Sequence, residues 1–267
     1  MKKIFFCLIL FMIALLCFAD KKFEKVKAAA EQGDAFAQFN LAAMYDKGDE
    51  SLVDKKQAVY WYTKAAEQGY DVAQLFLAFM YDIGDGIPID KKQAFYWYTK
   101  AAEQGNVAAQ CILGLMYSNG DGTPVDKKQA FYWFKKAAEQ GYAKAQFNLG
   151  GMYYKGNGIL TDKKQAFYWF KKAAEQGYAE AQFNLALMYY NGDGILADKK
   201  QAFYWYTKSA EKGLAFAQFN LGLMYSNGDG ILADKKQAAY WIKQAYENGY
   251  EPAKELWDAD ELWKYQD

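Results

Sequence analysis

The chain has 267 residues, 52% of them hydrophobic and 19% aromatic, which is ample material for a core and enough length for one or two domains. Its 32 basic residues, all lysines, balance 32 acidic ones, so the charge excess of a nucleic-acid binder and the arginine fork that reads phosphates and bases are both missing. There is no histidine, which removes histidine triads, histidine general bases and histidine-ligated metal sites, and the low proline content with no long polar run argues against disorder.

The first element is a leader. Lys2 and Lys3 precede an apolar stretch, Ile4 to Leu16, that is too short to span a bilayer comfortably. Cys17 and Ala19 place small residues at −3 and −1 of a cleavage after Ala19, so residues 1–19 read as a secretory signal peptide. An uncleaved anchor is the alternative; a lipoprotein site at Cys17 fits poorly, because Leu16 stands where a small residue is wanted. Cleavage removes Cys7 and Cys17 and leaves Cys111, so an exported chain would be held by packing alone, with no membrane span.

From there a repeat dominates. Asp-Lys-Lys-Gln-Ala begins at Asp54, Asp90, Asp126, Asp162, Asp198 and Asp234, and Ala-Gln recurs at Ala37, Ala73, Ala109, Ala145, Ala181 and Ala217, every step being 36 residues. After a half unit over 20–33, which has Lys25 where the others carry Trp, six units follow: 34–69, 70–105, 106–141, 142–177, 178–213 and 214–249. Each predicts two helices. In the fifth, Ala181, Leu185, Met188 and Tyr189 make one apolar face of a helix from about Ala179 to Tyr190, stopped by Gly192. A second helix runs from about Lys199 to Lys212 and ends at Gly213. Asp198 and Gln201 have the spacing of a capping box, and Ala202, Trp205, Tyr206 and Ser209 share a face. Small Ala opposite Trp and Tyr allows close approach, and burial of such rings accounts for Trp61, Trp97, Trp133, Trp169, Trp205 and Trp241. Residues 250–267 predict a capping helix, with Pro252 early in it, Leu256, Trp257 and Trp263 inward, and Lys254, Glu255, Asp258 and Glu261 toward water.

One helix pair cannot bury its own face, so the units must stack into an all-α solenoid of antiparallel helix pairs. The stretch Ala179–Gly213 resembles a Sel1-like repeat, a relative of the tetratricopeptide repeat. It departs from the family pattern at Gln201, where the family has Lys, and the first unit departs at Glu50, which replaces a glycine. The resemblance implies a right-handed superhelix that scaffolds protein–protein contacts, as in bacterial envelope, regulatory or host-interaction members. The family's cysteine-rich branch staples its repeats with disulfides, and that property does not transfer to a chain without those cysteines.

The Asn191-Gly192-Asp193-Gly194 loop invites a ligand reading that the spacing refuses. Setting Gly194 sixth in a calcium loop puts Tyr189 first and Lys200 twelfth, where ligands are required. A phosphate loop needs Gly-Lys-Ser/Thr opening a helix after a strand, whereas this loop joins two helices. The loop reads as a helix stop, a turn and a run-in to the Asp198 cap. No pair of carboxylates stands out for glycosidase-type chemistry, and Cys111 occupies a position held by Phe39, Phe147, Phe183 and Phe219, which makes it core or groove wall rather than nucleophile. No cofactor motif is present, and neither a metal nor a catalytic residue is expected.

Positions that vary between units are the candidates for function. In the first helices these are Phe36, Asn40, Ala43 and Lys47, spaced as a stripe beside the packing face. The second unit offers Val72, Phe76, Phe79 and Ile83; the third Ala108, Ile112, Leu115 and Asn119. Units four to six offer Asn148, Asn184 and Asn220 at one level and Lys155, Asn191 and Asn227 at another. By analogy with related solenoids this stripe lines the concave surface, where apolar pockets and amides suit an extended peptide or protein segment. The alternative reading is neutral drift among duplicated units. Phe95-Tyr96, Phe131-Tyr132, Phe167-Tyr168 and Phe203-Tyr204 form a second candidate row, one ring packing between units and the Tyr stacking on cell-wall glycans. An envelope-modifying hydrolase is the weakest of the three readings.

Overall fold

A computed structural model describes residues 21–48, 53–259 and 261–265, so the leader reading and the Glu50 departure lie outside the described residues. Helix α1 covers residues 21–31. Then follow α2 (Ala35–Lys47), α3 (Lys55–Glu67), α4 (Asp71–Ile83), α5 (Lys91–Glu103), α6 (Val107–Asn119), α7 (Lys127–Glu139) and α8 (Ala143–Lys155). After these come α9 (Lys163–Glu175), α10 (Ala179–Asn191), α11 (Lys199–Ala210), α12 (Ala215–Asn227), α13 (Lys235–Glu247) and α14 (Pro252–Ala259), with a closing 3-10 turn at Leu262–Tyr265. No strand occurs among the described residues. The chain divides after Asp126 into two compact units, α1–α6 and α7–α14, and within each the helices pack on their neighbours in chain order as an α-solenoid.

The boundaries follow from capping chemistry. Each second helix whose cap is resolved begins after an aspartate; Asp198 accepts from the Lys200 N–H at 2.9 Å and the Gln201 N–H at 3.0 Å. The reciprocal arm of the expected capping box is absent, because the Asp198 N–H already donates to the Tyr189 carbonyl at 2.8 Å. That carbonyl belongs to the last turn of α10 and has no partner within its own helix, so one bond satisfies two helix ends and fixes the angle between them. Asp54, Asp90, Asp162 and Asp234 make the same bond to Tyr45, Tyr81, Tyr153 and Tyr225. At the end of α10, Gly192 takes φ 75° and its N–H, like that of Asp193, donates to the Met188 carbonyl.

The core is a column of leucines with large rings beside it. Leu41, Leu77 and Leu113 in the first unit, and Leu149, Leu185 and Leu221 in the second, are fully buried. The deepest large side chains of the second helices are Tyr62, Tyr98, Phe134, Phe170, Tyr206 and Ile242, one residue beyond each tryptophan. Trp133 is buried, but Trp61, Trp97, Trp169, Trp205 and Trp241 are only half-buried. Trp205 packs against the cluster around Phe170 and against the cluster around Tyr206. The tryptophans are therefore wedges between successive repeats rather than the centre of each pair.

The Ala-Gln marker has its own cause. Gln74, Gln146, Gln182 and Gln218 are buried, and each donates Nε2 to a carbonyl eight residues back, as Gln182 does to Ala174 at 3.1 Å. Three of their carbonyl oxygens accept from the following repeat: Gln104 to Gln74 and Gln176 to Gln146 at 2.8 Å, Asn248 to Gln218 at 2.9 Å. A polar ladder thus lies inside the apolar stack of each unit, with Gln182 as the rung whose oxygen is left over.

At the C-terminus, Pro252 opens α14 as expected, but Trp263 points outward and is 53% exposed. Leu262 takes the inward place, buried with Ala239, Ile242, Ala245 and Ala253. The 3-10 turn after α14 shifts the register by one residue, which is why the helical pattern assigned the wrong side chain.

Candidate interaction surface

The variable first-helix residues differ in how far they reach the surface. In the first unit Phe36 is 60% exposed, Phe79 47% and Ile83 50%. Asn40 and Ala43 are half-buried and Lys47 is exposed. Phe76 belongs to the fold instead: it stacks on Tyr62 with centroids 5.5 Å apart and meets Phe39 edge-on at 5.7 Å. The Lys47 ammonium lies 5.9 Å from the Phe76 ring centre. Ile112 and Leu115 are half-buried on α6, and Cys111 beside them is buried in the core. A cleft of about 510 Å³ opens between α1 and α2, walled by Lys22, Val26, Asn40, Ala43, Met44 and Lys47.

In the second unit Asn148, Asn184 and Asn220 are half-buried, and Lys155, Asn191 and Asn227 are exposed at the last positions of their helices. Asn148 donates to the Lys144 carbonyl at 2.9 Å and Asn220 to the Phe216 carbonyl at 2.7 Å. The amide N–H groups are partly committed to their own helices, which leaves the amide oxygens as the groups to meet a ligand. Phe216, exposed on α12 at the repeat position that Phe36 holds in α2, was not a sequence candidate because only the Asn levels recur between the later units; its ring meets Tyr250 at 4.9 Å.

The glycine-rich loops do a different job from any ligand loop. Asp193 accepts from the Tyr154 hydroxyl at 2.7 Å and from the Lys163 ammonium, both in the preceding repeat, and Asn191 adds a further hydrogen bond. The Lys163 and Tyr154 bonds hold the Asp193 carboxyl below the usual carboxylate range. Asp229 repeats the arrangement with Lys199 and Tyr190. In the first unit Lys55 bridges Asp46 at 2.6 Å and Asp85 at 2.7 Å, Asp46 standing where the fourth and fifth repeats have Tyr154 and Tyr190. Asp193 is thus a clamp between repeats, and sequence reasoning missed it because its partners lie 30 and 39 positions away. Gly194 serves the same contact: a Cβ there would sit 2.6 Å from the Lys163 backbone.

The second-helix rings divide as expected. The Phe packs between repeats, as Phe203 does edge-on against Tyr225 at 5.3 Å. The Tyr stays about half exposed, but its ring is engaged on two sides: Tyr96 meets Trp97 at 4.9 Å and carries Lys100 5.7 Å from its centre. Burial, by contrast, raises the phenols of Tyr62, Tyr98 and Tyr206 above the ordinary range, so they are neutral packing groups. Leu160, Leu196 and Leu232, at 91%, 91% and 89% exposure, stand free on the loops of the second unit. No helix among the described residues is long and apolar enough to cross a membrane.

The Sel1 repeat pattern matches residues 35–70, 71–106, 107–142, 143–178, 179–214 and 215–250. No curated protein matches the chain. Among solved structures, a protective antigen present in uropathogenic Escherichia coli strains, displaying an SLR fold, is 40% identical with a TM-score of 0.84 over 86% of this chain. This chain spans about half, 50%, of that protein's length. A Sel1 repeat protein from Oxalobacter formigenes is 34% identical with a TM-score of 0.73, over 88% of this chain and 95% of its own.

Proposed function

Because the chain belongs to the Sel1 repeat family, a fold generally used for protein–protein interaction, we propose that it is a non-catalytic scaffold holding an extended peptide or protein segment along its first-helix stripe. The observation that carries this reading is the exposure of Phe36, Phe79 and Ile83 on helices whose other faces are closed by packing. Phe36 touches one ring, Tyr70, edge-on at 6.3 Å, and large apolar groups left mostly in water are the ordinary mark of a contact surface. The half-buried Asn148, Asn184 and Asn220 supply acceptors at one level of consecutive repeats, which suits a backbone running along them.

The setting we propose is the cell envelope or the exterior, with the scaffold serving envelope regulation or host contact. Lys2 to Ala19 support it by their leader pattern, and the protective-antigen role of the Escherichia coli neighbour supports it by likeness. A cell-wall glycan reading draws on the half-exposed tyrosines of the second helices, but a lysine over each ring and a tryptophan at its edge leave little free aromatic face for a sugar.

The test is crosslinking and pull-down of the full chain from its own envelope and from host lysate, beside the triple variant N148A/N184A/N220A and the double variant F79S/I83S. Loss of the same partner in both variants with unfolding unchanged supports the scaffold reading. Capture that survives both would sink it, and pelleting with purified cell wall that Y96A/Y168A abolishes would put the glycan reading in its place.

A further inference from the structure

The stripe has one charged end, and the partner's chemistry can be read from it. Lys22 on α1 and Lys47 on α2 stand on the wall of the 510 Å³ cleft, and among the described residues no acidic side chain shares that wall. Both lysines are exposed. The floor between them is Val26, Ala43 and Met44, with the Asn40 amide as its polar group. The volume lies within the range that closes around a side chain or a few residues of peptide. Helix α1 reinforces the sign, since Lys21, Lys22, Lys25 and Lys27 outnumber Glu24 and Glu31. Two other lysines of the first unit are neutralised, Lys55 by Asp46 and Asp85 and Lys91 by Asp82. Lys47 instead leans over the Phe76 ring, which joins the cationic cleft to the exposed Phe79 and Ile83 on α4.

We propose that this end of the stripe recognises an acidic peptide segment, with one or two Asp or Glu side chains seated between Lys22 and Lys47 and large apolar side chains beyond them on Phe79 and Ile83. The inference rests on the scaffold reading and assigns it a ligand chemistry. Ammonium groups on flexible stems take a carboxylate as a point charge, without the bidentate geometry that arginine would impose, so the site selects for acidity and an apolar neighbour rather than for one fixed motif. Charge steers the encounter, and the apolar contacts hold what arrives.

The experiment is fluorescence anisotropy of the full chain with labelled peptides containing Asp-Glu-Phe-Ile and its reverse order, against the isosteric Asn-Gln-Phe-Ile and the truncated Asp-Glu-Ala-Ala. At least one acidic-apolar peptide binds, and K22E/K47E weakens it tenfold or more. F79S/I83S weakens it comparably, both control peptides bind poorly, and the affinity falls as salt rises from about 0.05 M to about 0.5 M. Binding that K22E/K47E leaves within twofold, or equal binding of the Asn-Gln peptide, overturns the acidic preference while leaving the scaffold reading to the partner-capture variants. Absence of binding by every peptide also overturns it. So does self-association in sedimentation that K22E/K47E dissolves, because the cleft would then be filled by a second copy of the chain.

Discussion

Gln182 Oε1 is buried without a hydrogen-bond partner among the described residues, and the residue that should supply one is Lys212. In neighbouring repeats the corresponding position is Gln104, Gln176 or Asn248, whose amide reaches back to the buried glutamine of the repeat before. The Lys212 ammonium turns instead to the Gly177 carbonyl at the surface. A charged group does not enter a buried amide ladder, because its desolvation exceeds the bond it would gain. K212Q should therefore close the ladder and raise stability by about 1 kcal/mol, and Q176K should open the equivalent gap above Gln146 and lower it by a similar amount. Urea midpoints of the two variants, moving in opposite directions, are the check; shifts of the same sign would refute the ladder account.

The Asp193 and Asp229 clamps predict a dependence on pH. Both carboxyls are held below their ordinary range by lysine and tyrosine donors. A depressed folded value means that the unfolded chain takes up the proton first as pH falls. The stabilisation is therefore full above the ordinary carboxylate range, near 4, and lost as pH drops through the lower folded values. D193N/D229N should unfold more easily than the parent at pH 7 and at low salt. The difference should shrink as pH falls below the ordinary carboxylate range, because the parent then loses the same interaction, and shrink in high salt. A gap that stays unchanged down the whole acid limb would show that the clamp acts by packing and not by charge.

Gly194 of the loop should fail differently from Gly213, the glycine that ends the second helix. Gly194 has φ 75° and lies against the Lys163 backbone, so G194A meets both left-handed strain and a clash with atoms that cannot rotate away. Gly213 has φ 85° with nothing near its would-be Cβ, so G213A meets the strain alone. The expected cost is about 1–2 kcal/mol for G213A and clearly more for G194A. Because repeat proteins unfold in segments, hydrogen exchange around α9 to α11 is the sharper measurement: G194A should open that region first. Equal protection in both variants would mean that Gly194 is a turn and nothing more.

How much of this could be read from sequence follows the range of the interactions. Asp198 as a cap, Gly192 as a stop and the 36-residue step depend on neighbours within a few positions, and each is visible in the letters. The Asp193 clamp and the glutamine ladder join residues about one repeat apart, and a repeated chain presents every such pair as mere repetition. The tryptophan assignment failed for a related reason. Trp205 and Tyr206 are adjacent apolar rings, and a helical wheel cannot tell which faces its own pair and which wedges against the neighbour. The stripe was legible as variation, but variation does not separate Phe76, spent in the core, from Phe79, left outside.

That last distinction gives the most direct test of where function sits. Phe76 stacks on Tyr62, so F76A empties a packed site and should cost about 3 kcal/mol, lowering the urea midpoint whether or not a partner is present. Phe79 is exposed, three positions along the same helix, so F79A should change stability by less than about 0.5 kcal/mol. If the stripe is a contact surface, F79A loses partner capture while its unfolding curve overlays that of the parent. Any loss in F76A should instead track the fraction of molecules unfolded. A large destabilisation by F79A would return that ring to the packing of the repeats and leave the apolar half of the surface without its central residue.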